Sequence, residues 1–216
     1  MFVAEGEDLV DSALSAGVEP VELLVAGDNV EPALLADVSA LGHPPRVIGV
    51  FRREDLRRGE APAGGLALWR VADPGNVGTL IRSADALGPA FVALSAGSAD
   101  PTSPKAIRAS MGALFRVPLL EFEEAPRPWT ALVPRGGTPL DEVEGVRGGS
   151  LVLGAEREGL PDEVLSRCDE RATIRLAGGA ESLNVAMAGT IALYERSRRG
   201  TFNPHGSDPS YKPARP

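Results

Sequence analysis

Two successions of apolar runs at strand and helix spacing, divided by a glycine- and proline-rich stretch at 57–65, limit what this chain can fold into more than any other feature. Before the divide, residues 2–6, 21–25 and 47–51 read as strands, and 8–16 and 31–41 as amphipathic helices. In the first of these helices Leu9, Val10, Ala13 and Leu14 recur at helical period and Gly17 stops the run. After the divide the alternation restarts. Residues 66–71, 90–94, 130–133, 150–153 and 172–176 read as strands, with a further candidate at 114–119. Residues 79–87, 104–111, 161–168 and 183–196 read as helices. The pattern predicts an α/β fold with a mostly parallel sheet. It also predicts a small α/β module over 1–56, a linker over 57–65, a larger domain over 66–200 and a poorly ordered tail over 201–216, where apolar periodicity is lost.

Composition narrows the classes. Of the 216 residues 43% are hydrophobic but only 5% aromatic, so Ala, Val and Leu must fill the core. The single cysteine, Cys168, cannot form an internal disulfide, and no apolar run reaches the roughly 18–20 residues that span a bilayer. The amino terminus shows no basic segment of the signal-peptide kind, so a cytoplasmic location is expected. His43 and His205 both sit beside prolines, and with one cysteine no metal site is readable. No GxGxxG follows the first strand of either module, which argues against a dinucleotide-dependent oxidoreductase. The net charge of −8 opposes indiscriminate binding to polyanions. Two local basic patches stand against it: Arg52, Arg53, Arg57 and Arg58, and Arg196, Arg198 and Arg199. Each reads either as a solvated face or as a contact for nucleic acid.

In parallel sheets, ligands bind beyond the carboxyl ends of strands, which directs attention to three loops. The first runs Asp73-Pro74-Gly75-Asn76-Val77-Gly78 and opens a helix carrying Arg82. Sharing a helix with apolar Leu80, Ile81 and Ala84, Arg82 either pairs with an internal acid or points into a cleft. The second, Gly154-Ala155-Glu156-Arg157-Glu158-Gly159, follows an apolar strand. Gly154 lets a ligand approach the backbone, and Glu156 reads either as a cap or arginine partner or as a site residue. In the third, Glu181-Ser182-Leu183-Asn184-Val185-Ala186, Ser182 has N-cap chemistry and Asn184 falls in the first helical turn.

Taken in order, these three segments resemble the signature motifs of the SpoU/TrmH family of RNA ribose methyltransferases, within the SPOUT superfamily. The segment Pro104-Lys105-Ala106-Ile107-Arg108-Ala109-Ser110-Met111-Gly112-Ala113 is also similar to that family, and the resemblance covers about residues 66–196. The opening Phe2-Val3-Ala4-Glu5-Gly6 segment resembles the start of the small L30e-like substrate-binding module that precedes many such domains. The resemblance implies a mostly parallel sheet with a C-terminal trefoil knot, a homodimer with active sites at the subunit interface, and AdoMet held in the knot without a metal. It implies that Gly154, Ile174 and Leu183 contact AdoMet. Asn76, Arg82, Glu156, Ser182 and Asn184 match the catalytic and substrate-side set, and Arg52, Arg53 and Arg108 are candidate RNA contacts.

The implied reaction moves a methyl group to a ribose 2′-hydroxyl of structured RNA, ribosomal or transfer. Alignment of oxygen, methyl carbon and sulfur can contribute about 7–11 kcal/mol. A guanidinium keeps its proton and is a poor base, so Arg82 is expected to hold a phosphate or stabilise developing alkoxide. Asn76 and Glu156 are expected to orient it, with Ser182 and Asn184 shaping the pocket. Competing readings are methylation of a base and an RNA-binding protein without catalysis. The intact polar set argues against both.

Overall fold

A computed structural model describes residues 1–39, 44–56, 61–177 and 180–199. The tail from Thr201, the linker centre at 57–60 and both histidines lie outside the described residues. The amino-terminal part contains β1 (Phe2–Glu5), α1 (Glu7–Ser15), β2 (Glu22–Val25), α2 (Pro32–Val38) and β3 (Val47–Phe51). Its three strands form an antiparallel sheet with β3 in the centre.

The second part contains β4 (Gly64–Leu68), α3 (Pro74–Leu87), β5 (Phe91–Leu94), α4 (Pro104–Ser110), β6 (Leu119–Glu121), β7 (Trp129–Leu132), β8 (Thr138–Pro139), β9 (Gly149–Leu153), α5 (Asp162–Leu165), β10 (Glu170–Thr173) and α6 (Val185–Arg198). The strands form one seven-stranded sheet in the order β6-β5-β4-β9-β7-β10-β8. All its pairings are parallel, as the alternating pattern predicts.

Side chains alternate across this sheet, and both faces are buried. Leu66, Leu68, Leu151 and Leu153 join a core with Leu80 and Ile81 of α3 and Leu193 of α6. Their neighbours Ala67 and Val152 point the other way, into a second cluster with Phe122, Trp129 and Val164. Burial on two faces explains why the central strands are continuous apolar runs instead of alternating ones. Each fully buried leucine contributes about 1.5–3 kcal/mol relative to exposure.

Several boundaries differ from the sequence reading. Helix α3 begins at Pro74, five residues earlier than expected, because Asp73 caps it and proline is compatible with the first turn. Helix α6 begins at Val185, and its cap is Asn184, not Ser182. The apolar run at 114–119 becomes a 3₁₀ turn at Ala113–Phe115 followed by β6. Strand β10 ends at Thr173, leaving Ile174 and Leu176 in the loop.

The two parts share a core. Phe115 of the larger part packs against Phe2 and Phe51, with ring centroids 6.1 and 5.4 Å away. Beside them Arg53 donates to both oxygens of Asp100, at 2.7 and 2.5 Å.

Candidate functional site

The first two of the three loops meet because of where β4 and β9 end. These strands are neighbours and run in parallel, so the loops that leave them emerge side by side. After β4 the backbone N–H groups of Ala72 and Asp73 donate to the carboxylate of Glu156, at 3.2 and 3.1 Å. Glu156 follows β9, so a side chain from one loop satisfies the backbone of the other. Asn76, in the first turn of α3, adds a third donor through Nδ2 at 3.0 Å. Burial would push the Glu156 carboxyl up, but the hydrogen bonds from Asn76, Asp73 and Ala72 outweigh it and hold the group below the usual glutamate range.

The third loop joins through Asn184. Its Nδ2 donates to Asn76 Oδ1 at 3.1 Å, while its own Oδ1 accepts from the N–H groups of Ala186 and Met187 at 2.8 and 3.3 Å. Asn76 is therefore held at both ends of its amide, by Glu156 and by Asn184. Asp73 supports the same turn. It accepts from Asn76 N at 3.0 Å and from Lys105 Nζ at 2.6 Å, and these two contacts, the lysine's foremost, lower its pKa. The sequence reading missed both Asp73 and Lys105 as site residues. An Asp immediately before a proline at a helix start is the signal that could have found the first.

A cleft of about 360 Å³ opens beside this network. Gly154, Ile174 and Leu183, the three positions expected to contact a cofactor, all line it, together with Ser182 and Glu156. Its remaining walls are largely apolar, including Leu132, Leu153 and Leu160. A volume at the lower end of the small-molecule range, with apolar walls and a polar rim, fits a nucleoside-sized group. The reason for a glycine at 154 differs from the expected one. A Cβ there would overlap the backbone of Gly159 and Leu160, so the space it saves is taken first by the chain itself.

Arg82 stands apart from the network. It is exposed on α3, and no hydrogen bond or ion pair joins it to Asn76 or Glu156 among the described residues. The expected orientation of Arg82 by those two residues is therefore not found. Six residues turn a helix through about 600°, which sets the two side chains about 120° apart around the axis. Nor does an internal acid pair with Arg82 among the described residues, and Arg82 is not among the residues that line the cleft. Ser182 lies two residues before the α6 cap and is exposed at the cleft.

Two of the basic positions are committed elsewhere. Arg53 is bound to Asp100, and Arg52 lies 3.8 Å from Glu54. Arg108 is exposed on α4. In the other patch, Arg198 and Arg199 pair with Glu195, and Arg196 is only 6% exposed. The Arg196 guanidinium donates to carbonyls of Val146, Gly149 and Gly65, at 2.7, 3.0 and 3.3 Å, and burial lowers its pKa to about 10. Among the described residues no group of three or more His, Cys, Asp or Glu side chains is arranged to hold a metal ion, and no helix is long and apolar enough to cross a membrane.

Comparison with known proteins agrees with this geometry. Residues 65–194 match the SpoU rRNA Methylase family. The chain is 31% identical to the 23S rRNA (guanosine(2553)-2′-O)-methyltransferase RlmP of Bacillus subtilis, over 89% of this chain and 87% of the relative. It is 34% identical to the 23S rRNA (uridine(2479)-2′-O)-methyltransferase of Streptomyces viridochromogenes, over 72% of this chain and 61% of the relative. The AdoMet-bound rRNA methyltransferase of Sinorhizobium meliloti superimposes with a TM-score of 0.80 at 28% identity, covering 92% of this chain and 87% of that one.

Proposed function

The chain belongs to the SpoU rRNA methylase family, and on that premise we propose that it transfers the methyl group of AdoMet to a ribose 2′-hydroxyl of structured RNA, ribosomal or transfer. The observation that carries this reading is the doubly anchored amide of Asn76. It ties all three motif loops into one network at the mouth of the cleft. Two relatives named for ribose methylation act on different nucleosides, a guanosine and a uridine, which supports a site built around the ribose and not the base.

When bound, AdoMet supplies a methyl group already activated by its sulfonium. In this reading Gly154, Ile174 and Leu183 hold the cofactor in the 360 Å³ cleft, largely through backbone groups and apolar contact. Glu156 is a positioning residue. Its carboxylate accepts three hydrogen bonds and is held in its charged form, which makes it a weak base and a firm anchor for Asn76. Asn76 fixes Asn184, and Ser182 lines the approach from the third loop. Arg82 and Arg108, both exposed, face the RNA. The Arg82 guanidinium holds a phosphate or steadies the oxygen as it gains charge, and the 2′-hydroxyl proton leaves to water.

The same reading takes the protein as a cytoplasmic homodimer that needs no metal. Met187, Ile191 and Tyr194 are 57, 38 and 56% exposed and follow one another at i, i+4 and i+7 on α6. This apolar stripe starts three residues after Asn184, and α6 packs on the helix that carries Arg82. A second copy covering the stripe brings its own residues to the site. The same reading takes the larger domain as knotted at its C-terminal end, where Arg196 binds α6 to carbonyls 50 and more residues away.

The test is methyl transfer from labelled AdoMet to unmodified RNA, followed by nuclease digestion and nucleoside mass spectrometry. A 2′-O-methylnucleoside is expected. Label on a base, or none, overturns the proposal.

A further inference from the structure

Although the chain is acidic, most of its described basic side chains already face a partner. Arg53 pairs with Asp100, Lys105 with Asp73 and Arg116 with Asp85. Arg70, Arg82, Arg108, Arg157 and Arg171 are exposed and have neither a hydrogen bond nor an ion pair from the side chain among the described residues. Arg82 and Arg108 already belong to the RNA-facing set. Arg70 does not, and its surroundings set it apart from the others.

Arg70 adopts φ of 52°, a left-handed conformation that costs an ordinary side chain energy and that glycine accepts freely. The chain around it is pinned on every side. Trp69 N donates to Leu153 O at 2.8 Å, Arg70 N to Ser95 Oγ at 2.8 Å, and Ala99 N to Val71 O at 2.8 Å. The arginine stem passes over Gly97, where even a Cβ would come within 3.4 Å of Nε. Two and three residues further on, Ala72 and Asp73 donate to Glu156 through their backbone N–H groups. On its other side a second cavity, of about 780 Å³, is lined by Ser95, Gly97, Ser98 and Asp100. The backbone thus holds a cation with no partner among the described residues beside Gly97 and three residues before Asp73, in a conformation that a surface arginine without a role has no reason to keep.

We infer that Arg70 is a positioning residue that holds a phosphate of the RNA on the β4–α3 side of the site, an inference that rests on the RNA methyltransferase reading. The occupant must be anionic and extended. The second cavity also carries Glu121 and Glu124 beside Asp100, so the phosphate is held at Arg70 itself and the chain does not continue into that cavity.

The experiment measures affinity for an unmodified 23S ribosomal RNA transcript at several salt concentrations, using the full chain and its Arg70→Ala, Arg70→Gly and Arg171→Ala variants. Loss of one phosphate contact should flatten the slope of log K against log salt by about 1 in Arg70→Ala and raise Kd about 3–10-fold. AdoMet affinity, measured without RNA, should stay unchanged. Arg70→Gly should show the same RNA defect with an equal or higher melting temperature, because glycine relieves the backbone. Arg171→Ala removes the same charge at a distance and should leave the slope alone. An unchanged slope in Arg70→Ala, or an equal change in Arg171→Ala, overturns the assignment. Methyl transfer by the wild type is assayed in parallel. Its absence counts against the proposed function, whereas unchanged RNA binding in Arg70→Ala counts against Arg70 alone.

Discussion

Arg82 and Asn76 show how differently two polar residues on one helix can be used. Asn76 has both ends of its amide satisfied by the protein, so it transmits position and does not reach outward. Arg82 is bonded to nothing among the described residues and is exposed. Removing an exposed, unpaired side chain changes stability by no more than about 0.5 kcal/mol. Arg82→Ala should therefore melt like the wild type and bind AdoMet normally, yet transfer methyl about 10²–10³-fold more slowly in single-turnover assays. Arg82→Lys should rescue poorly if a planar, two-pronged contact to phosphate is made, since lysine offers only a point charge. Near wild-type transfer by Arg82→Ala would remove this residue from the mechanism.

At the level of elements, close backbone approaches decide where the loops lie. Gly78 of α3 allows Ala106 of α4 to come near, since a Cβ would overlap the Ala106 carbonyl. Gly154 does the same for the β9–α5 loop, whose Ala155 and Gly159 form an isolated bridge. A valine at 154 must push Gly159 and Leu160 aside, and the cleft wall moves with them. Gly154→Val should lose AdoMet binding in calorimetry and also lower the melting temperature. A variant that loses binding at an unchanged melting temperature would return the glycine to the simpler role of leaving room for a ligand. Arg196 acts at the same scale. Its fork of carbonyl contacts fixes α6 against β4 and β9, a structural duty that a basic patch in the sequence does not announce.

For the molecule as a whole, two surfaces matter. The first is the exposed apolar stripe on α6. If a second copy covers it, Ile191→Glu should convert the dimer to a monomer in sedimentation and abolish transfer, since a charge buried in an apolar contact is costly. A fully active monomer would sink the composite site. The second is the seam between the two parts, where Arg53 holds Asp100. The hydrogen bond from Arg53 is the foremost reason that the Asp100 pKa falls to about 2. A carboxylate with a depressed folded pKa contributes stability that is fully present above its unfolded value near 4 and is lost as pH falls toward 2. Both side chains are more than a third exposed, so screening keeps the contribution under about 1 kcal/mol. The gap in melting temperature between the wild type and Asp100→Asn should thus be small at pH 5 and should close between about pH 4 and pH 2. A gap that persists at pH 2 would mean that Asp100 acts through something other than its charge.

The sequence by itself determined the class of fold, the positions of the buried strands and the three loops that meet at the site. These follow from period, from glycine and proline placement and from motif wording, all of which are local. Asp73 before Pro74 marks a helix start in the same local way, even though its true boundary lay five residues earlier than the periodicity suggested. What only the tertiary structure decided is which polar groups find each other. Residue 76 is separated by 80 and 108 positions from its partners 156 and 184; the adjacency of β4 and β9 brings the first within 3.0 Å, and the packing of α6 on α3 brings the second within 3.1 Å. The same holds for charge. Arg53, Arg82 and Arg196 look alike in the sequence, but one is locked to Asp100, one is exposed and one is buried among carbonyls. A long side chain's role depends on which acceptor lies within reach once the chain has folded, and no local pattern carries that distance.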